Sequence, residues 1–287
     1  MAAAADGDVV VVCGAAGYGK TTTVALWDTS DGRPFVWARI DHLDDDPAHL
    51  LLHIATALVR SSGDAPELLR YLGGPGRSPV NQLLPAVVDL FEQSAPMVLV
   101  LDDVHKLCDP TAVTTLRMLL QELPATVIPA LVGRFMLPLG LGRRRLQNTT
   151  VQIDQEVLRF SAAEAAQALD MAGGVHDEAV VARVIDLCEG WPAGVILTAM
   201  ALRDGTSLEG LVRRDNLVVD YVVEEVIDRL DDATATFLTE SAVLERFTAE
   251  QLDAVLERDD SAHMLAVLSG LGNPFLIALD HHRVWHR

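Results

Sequence analysis

Short apolar runs alternate with segments of helical period through the first half of the chain. Val9–Cys13 is a β-branched run that reads as a buried strand. Thr21–Thr29 reads as the helix after it, closed by the turn signal Asp31-Gly32-Arg33-Pro34. Phe35–Ile40, Met97–Leu101, Thr126–Val132 and Thr150–Ile153 are further predicted strands. Asp46-Pro47 and Asp109-Pro110 each join an N-cap to a proline at the first helical position. The first opens a helix with Leu50, Leu51, Ile54 and Leu58 at helical spacing, and the second a helix running to about Leu123. Val80–Gln93 reads as helix, and the Gly- and Pro-rich stretch Ser61–Pro79 as a surface loop with one helical turn at Glu67–Tyr71. This alternation predicts a parallel sheet covered by helices on both faces.

After about Leu158 the pattern turns to nearly continuous helix. Ser161…Glu164 and Thr248…Gln251 are capping boxes. Helices are expected near 162–172, 177–188, 193–203 and 217–230, with a polar connector at Arg203–Asn216 and a small hairpin from Phe275–Leu279 and Arg283–Trp285. The division expected is 1–157, 158–215 and 216–287.

Composition narrows the function. The 287 residues, half of them hydrophobic, suffice for one large or two to three small domains. A net charge of −19 argues against a broad surface tracking a nucleic-acid backbone, and 5% aromatic residues against a base-stacking platform. Neither excludes a local anion site. Three cysteines with no CxxC pair give neither a disulfide framework nor a zinc pattern, and fit reduced thiols in the cytoplasm. No apolar run approaches the ~20 residues of a membrane span.

Gly14-Ala15-Ala16-Gly17-Tyr18-Gly19-Lys20-Thr21 fits G-x-x-x-x-G-K-[ST], between a predicted strand and a predicted helix. Glycines let backbone N–H groups curl around phosphate oxygens, and the helix N-terminus adds partial positive charge. Lys20 would reach the β- and γ-phosphates, and the Thr21 hydroxyl would ligate Mg²⁺. Met97–Asp103 is an apolar strand ending in two acids, the pattern that holds Mg²⁺ beside such a loop. Asp102 is the candidate metal-side carboxylate, and Asp103 the candidate for orienting or deprotonating the attacking water. Arg134 follows a strand at the end where open α/β sheets bind ligands, and reads equally as a γ-phosphate sensor or an exposed arginine. The run Arg143-Arg144-Arg145 fits a solvated helix face best, with a phosphate lid or partner contact as alternatives. Gly190-Trp191-Pro192-Ala193-Gly194 is a turn between helices, and spacing does not tell whether it also touches a ligand. Asp280-His281-His282 reads as surface rather than metal site.

In order along the chain, Ala16–Thr22, Trp37…Asp41…Asp45-Asp46-Pro47, Leu99–His105, Leu158-Arg159-Phe160 and Gly190–Gly194 resemble the MalT-like, large LuxR-type transcriptional regulators. These belong to the STAND class of signal-transduction NTPases, relatives of AAA+ proteins. The resemblance implies an α/β P-loop NTPase core, a helical domain, and a truncated winged-helix-like domain that includes Phe237–Ser241 and Asn273–Leu276. It implies ATP or ADP with Mg²⁺ as ligands, closure by ADP, and self-association in the ATP state. It places Thr22 with the phosphate loop, gives Arg134 the role of nucleotide sensor, and makes Pro192 a nucleotide contact. Members carry residues before the first strand, a Tyr-His pair after the final Trp-x-Arg, sensor repeats and a C-terminal helix-turn-helix. This chain is therefore expected to be a piece or a shortened product, without direct DNA binding of its own. Where members carry Ser or Thr before the sensor arginine, this chain has Gly133.

The expectation is a cytoplasmic nucleotide switch with slow ATP hydrolysis at most. The rivals are a P-loop kinase using Arg143–Arg145 as a lid, and an interaction fragment whose loop is vestigial.

Overall fold

A computed structural model describes residues 4–62, 78–94, 96–173, 177–205, 227, 230–244, 246–270, 276, 284 and 286. The expected turn at Glu67–Tyr71 and the Asp280-His281-His282 cluster lie outside these residues. So do the connector beyond Gly205 and, apart from single positions, the helix at 217–230 and the C-terminal hairpin. The chain divides into two compact units. One comprises Met1–Gly14 and Lys20–Asp154, the other Ala15–Gly19 and Gln155–Arg287.

The first unit is built on five parallel strands in the order β2-β3-β4-β1-β5. They are β1 (Val9–Cys13), β2 (Phe35–Arg39), β3 (Met97–Asp102), β4 (Val127–Gly133) and β5 (Thr150–Ile153). β3 and β4 are buried along their whole length, because a parallel sheet is covered on both faces. Val9, Val11, Val36, Ala38, Leu99 and Leu101 point to one face. There they pack with Leu50, Ile54, Val87, Phe91, Leu116 and Leu119. Those residues come from α2 (Pro47–Ser62), α3 (Leu84–Ser94) and α4 (Pro110–Glu122). α1 (Lys20–Ser30) follows β1. Pro129 lies inside β4 although proline lacks a ladder donor. Pairing with β1 begins only at Ala130, so Pro129 sits at the margin of that ladder.

One predicted boundary differs in an instructive way. Val80–Gln93 begins as a π-helical turn, Pro79–Leu83, before α3 takes over. Ser78 caps that turn by accepting from the Asn81 amide at 3.4 Å. The acidic stretch after β2 is structural. Asp41 and Asp44 form a capping box around a 3₁₀ turn, His42–Asp45. Asp44 is fully buried and accepts from the Asp41 amide, with His49 Nδ1 and His53 Nδ1 each 3.0 Å away. Asp45 accepts from the Cys108 and Asp109 amides at 2.7 and 2.9 Å, tying this turn to the start of α4.

The second unit is helical among its described residues. α7 (Ala162–Met171), α8 (Glu178–Cys188) and α9 (Pro192–Arg203) enclose Ala165, Leu169, Val184, Val195 and Ala199. They follow the short α6 (Gln155–Leu158); α5 (Gly142–Leu146) belongs to the first unit. α10 (Asp232–Ser241), α11 (Ala249–Leu256) and α12 (Ser261–Gly270) share a second core of Phe237, Phe247, Leu252, Leu265 and Leu268. A single antiparallel bridge joins Phe247 to His286, and their rings stack with centroids 6.2 Å apart. Both capping boxes read from the sequence are formed.

Candidate functional site

In the first unit the chemistry gathers at the carboxyl ends of β1, β3 and β4. Because β4 lies between β1 and β3, the residue after β4 is bracketed by the loop strand and the acid strand. Lys20 and Thr21 open α1, and Thr22 follows them in its first turn. Thr21 Oγ1 donates to Asp102 Oδ2 at 2.9 Å. Asp102 is buried, and its other oxygen accepts from the Asp103 amide at 2.9 Å. Hydroxyl and carboxylate are hard oxygen donors, and Mg²⁺ takes one or two protein oxygens beside substrate phosphates, so this pair fits that ion.

Asp103 adopts a left-handed conformation with φ 61°, strained for a residue with a Cβ. Its Oδ2 accepts from Lys106 Nζ at 2.8 Å and Arg39 Nε at 3.1 Å. Burial raises its pKa, but those hydrogen bonds outweigh burial and leave the carboxyl below its ordinary range. Such a carboxylate can orient a water better than it can deprotonate one.

Lys20 lies in a strongly perturbing environment. Burial, then the charge of Arg134, lower its pKa to about 8 against the pull of Asp103 and Asp102. Burial lowers His105 to about 4, with Arg134, Lys20 and Lys106 adding to the effect against Asp103. Arg134, half-buried, thus belongs to the same charge field as Lys20 and His105. At Gly133 a Cβ would come within 3.1 Å of Val104 Cγ2 and the Phe135 carbonyl, a tight fit for the Ser or Thr expected there.

The basic run behaves differently. Arg144 donates to the carbonyls of Gly7 at 2.9 Å and Leu120 at 3.3 Å. Arg143 and Arg145 are exposed.

The apex of the loop, Ala15–Gly19, packs within the second unit. The Ala15 amide donates to Gln155 Oε1 at 3.0 Å. Tyr18 is buried, and burial raises its phenol pKa against the charge and hydrogen bond of Arg159. Trp191 Nε1 donates to the Ala16 carbonyl at 3.0 Å, and the Ala193 amide to the Gly17 carbonyl at 3.0 Å. Pro192, buried, is the residue between those two donors. Gly17 has φ +76°, and a Cβ there would lie 2.6 Å from Trp191 Nε1. Gly14 stays with the first unit, its amide donating to the Gly133 carbonyl at 3.3 Å.

Sequence reasoning singled out Lys20, Thr21, Asp102, Asp103 and Arg134, and the structure gathers them. It passed over Gln155, Arg39 and Lys106, and it quoted Arg159 and Trp191 only as members of motifs, with no role of their own. Trp191 carried a signal, since a large aromatic between Gly and Pro in a tight turn needs a partner for its N–H.

A family model for an AAA ATPase domain matches residues 1–132, and one for a MalT winged helix domain matches residues 223–287. The HTH-type transcriptional regulator MalT of Vibrio cholerae is 28% identical over 281 residues, covering 95% of this chain and 31% of its own. The serine/threonine-protein kinase PknK of Mycobacterium tuberculosis is 27% identical over 248 residues, covering 83% of this chain and 22% of its own. This chain therefore spans less than a third of either relative. Among solved structures, the Aeropyrum pernix ORC1 protein in complex with DNA aligns over 97% of this chain and 81% of its own, at 16% identity and a TM-score of 0.45. No described helix is long and apolar enough to cross a membrane.

Proposed function

The chain is MalT-like and carries an AAA ATPase region, and from that premise we propose that it is the nucleotide-dependent switch of a cytoplasmic transcriptional regulator, binding ATP or ADP with Mg²⁺. The observation that carries this reading is the convergence of Lys20, Thr21, Asp102 and Arg134 where a strand gives way to a helix N-terminus. Within the motif Gly14–Gly19 the Gly14 and Ala15 amides are already engaged by Gly133 and Gln155, so Ala16–Gly19 and Thr22 supply the backbone donors to the phosphates, Lys20 binds the β/γ region, and Arg134 reads the terminal phosphate. Thr21 and Asp102 hold the cation, which neutralises phosphate charge when bound. Pro192 borders the nucleotide from the 190–194 turn. Asp103 orients water but is a weak base, because Lys106 and Arg39 already engage its carboxylate. Slow turnover follows, as suits a switch that must dwell in each state. Self-association belongs to the ATP-bound form.

The test is the nucleotide content of the purified protein, released by heat and resolved by chromatography, followed by ATP and ADP titrations with and without Mg²⁺. Bound ADP, or Mg²⁺-dependent ATP affinity, is expected. A folded sample that neither carries nor binds nucleotide would falsify the reading.

A further inference from the structure

A trans peptide sets each carbonyl opposite the N–H of the next residue. A donor that captures a loop carbonyl therefore also aims the following amide. In Ala15–Gly19 two carbonyls are captured. Trp191 Nε1 takes Ala16 O and the Ala193 amide takes Gly17 O, both at 3.0 Å. The amides so aimed, Gly17 N–H and Tyr18 N–H, lie in the middle of the phosphate-binding motif and point away from the 190–194 turn.

The turn that supplies both donors is itself rigid. Glu189 and Gly190 adopt successive left-handed conformations, φ 51° and 72°. The Phe160 amide donates to the Gly190 carbonyl at 2.8 Å, and the Trp191 amide to the Cys188 carbonyl at 2.8 Å. A Cβ at Gly190 would meet the Phe160 carbonyl at 2.9 Å, and one at Gly194 would meet Trp191 Cε3 at 2.6 Å. Trp191 is only 7% exposed and its bond to the Ala16 carbonyl is buried, so losing that bond would leave a donor and an acceptor unsatisfied away from bulk water.

We propose that Trp191 is a positioning residue for nucleotide binding: its indole N–H, with the Ala193 amide, fixes the direction of the Gly17 and Tyr18 amides and couples the 190–194 turn to nucleotide occupancy. The inference rests on the nucleotide-switch reading and adds the route by which the helical segment registers the ligand. Phosphate pulling on the aimed amides polarises the same peptides whose carbonyls the turn holds, so occupancy tightens the turn.

The test pairs a variant with a measurement on the unaltered chain. Trp191→Phe keeps an aromatic ring and deletes the donor. Its Kd for both ATP and ADP is expected to rise about tenfold, the effect of one buried hydrogen bond, with the thermal transition still cooperative. The chain has four tryptophans. In 5-fluorotryptophan-labelled wild-type protein, the ¹⁹F resonance missing from the variant's spectrum is expected to shift on adding ADP. Hydrogen exchange of the wild-type chain needs no variant: nucleotide should slow exchange in peptides covering both 14–22 and 188–195. Wild-type binding with unchanged Trp191→Phe affinity, or protection confined to 14–22, overturns the latch alone. A wild-type chain that binds neither nucleotide overturns the parent reading first, and the latch with it.

Discussion

The two ends of the segment Gly14–Thr22 are secured by different physics. At Lys20 and Thr21 the partners are charged or acidic: Asp102 at 2.9 Å from the Thr21 hydroxyl, and the fields of Asp103 and Arg134 on Lys20. At Ala15–Gly19 the backbone ties are neutral, with Arg159 on the Tyr18 phenol the one charged contact described: an amide to Gln155, two captured carbonyls, and a glycine with no room for a Cβ. Charge is long-ranged and answers to pH and to Mg²⁺. Neutral hydrogen bonds and close packing answer to neither, but fail abruptly when shape changes. One motif therefore contains a tunable end and a rigid end, and substitutions at the two should fail in distinguishable ways.

The largest effect belongs to the charged end. Lys20→Ala is expected to raise the nucleotide Kd by about 100-fold or more, since truncating one partner of a desolvated charge pair costs about 2–5 kcal/mol. The fold should survive, because a lysine whose pKa burial has lowered to about 8 is a cost to the free protein. Calorimetric titration beside a thermal melt checks both halves; tight ATP binding retained in this variant would end the assignment of Lys20. Gly17→Val probes the rigid end. A β-branched residue at φ +76°, with its Cβ 2.6 Å from Trp191 Nε1, should lose about 3 kcal/mol of stability together with binding. A variant as stable as wild type in urea titration would show that the apex is not shape-limited.

The contrast also explains what the sequence made legible. Alternation of apolar runs and helical periods located all five strands of the sheet within a residue at each end; β3 and β4, buried throughout, leave no freedom of pattern, and the edge strands β2 and β5 still bury Val36, Ala38 and Ile153. The charged end was readable too, since Gly19-Lys20-Thr21 and Asp102-Asp103 are side-chain chemistry at fixed spacing. The rigid end was not. Its ties to Trp191 and Ala193 run through carbonyls that every residue possesses, across 175 positions in the case of Ala16. The left-handed conformation of Asp103 and its capture by Lys106 and Arg39 were equally hidden, because an acid pair reads alike whether free or engaged. Asp41, Asp45 and Asp46 were marked by family pattern, and the structure gives them caps and ties.

Asp102→Asn separates charge from geometry within the charged end. The asparagine oxygen can still accept from the Asp103 amide and its NH2 can donate to the Thr21 hydroxyl oxygen, so the loop keeps its shape, but the anionic ligand is gone. The gain in ATP affinity from Mg²⁺ should shrink about tenfold, while affinity in EDTA holds or improves as a negative charge leaves the phosphate site. Undiminished Mg²⁺ dependence would remove Asp102 from the cation site.

The pH dependence has a definite sign. Free Lys20 titrates at about 8, and a bound phosphate raises that value by favouring the charged form. Below about pH 8 the lysine is charged in both states, and affinity is flat. Above it, binding takes up a proton, and Kd should rise by up to about tenfold per pH unit. The Lys20→Ala variant should lack this slope, which titrations at pH 7, 8 and 9 would reveal.

The smallest effect sharpens the boundary of the charged end. Arg143-Arg144-Arg145 carries the charge of a phosphate lid, yet Arg144 spends its guanidinium on the carbonyls of Gly7 and Leu120. Those bonds join the chain entering β1 to the C-terminal part of α4, so their loss should appear as stability. Arg144→Ala is expected to cost about 1–2 kcal/mol in chemical denaturation, in line with hydrogen bonds to a charged donor. Its ATP affinity should stay within about twofold of wild type at ordinary salt. Arg143→Ala and Arg145→Ala, at exposed positions, should change neither quantity measurably. A lid would give the reverse pattern: ATP affinity falling with each arginine removed, more steeply at low ionic strength, with stability untouched. That the one arginine of the three to be partly buried is also the one bound to backbone favours the structural outcome.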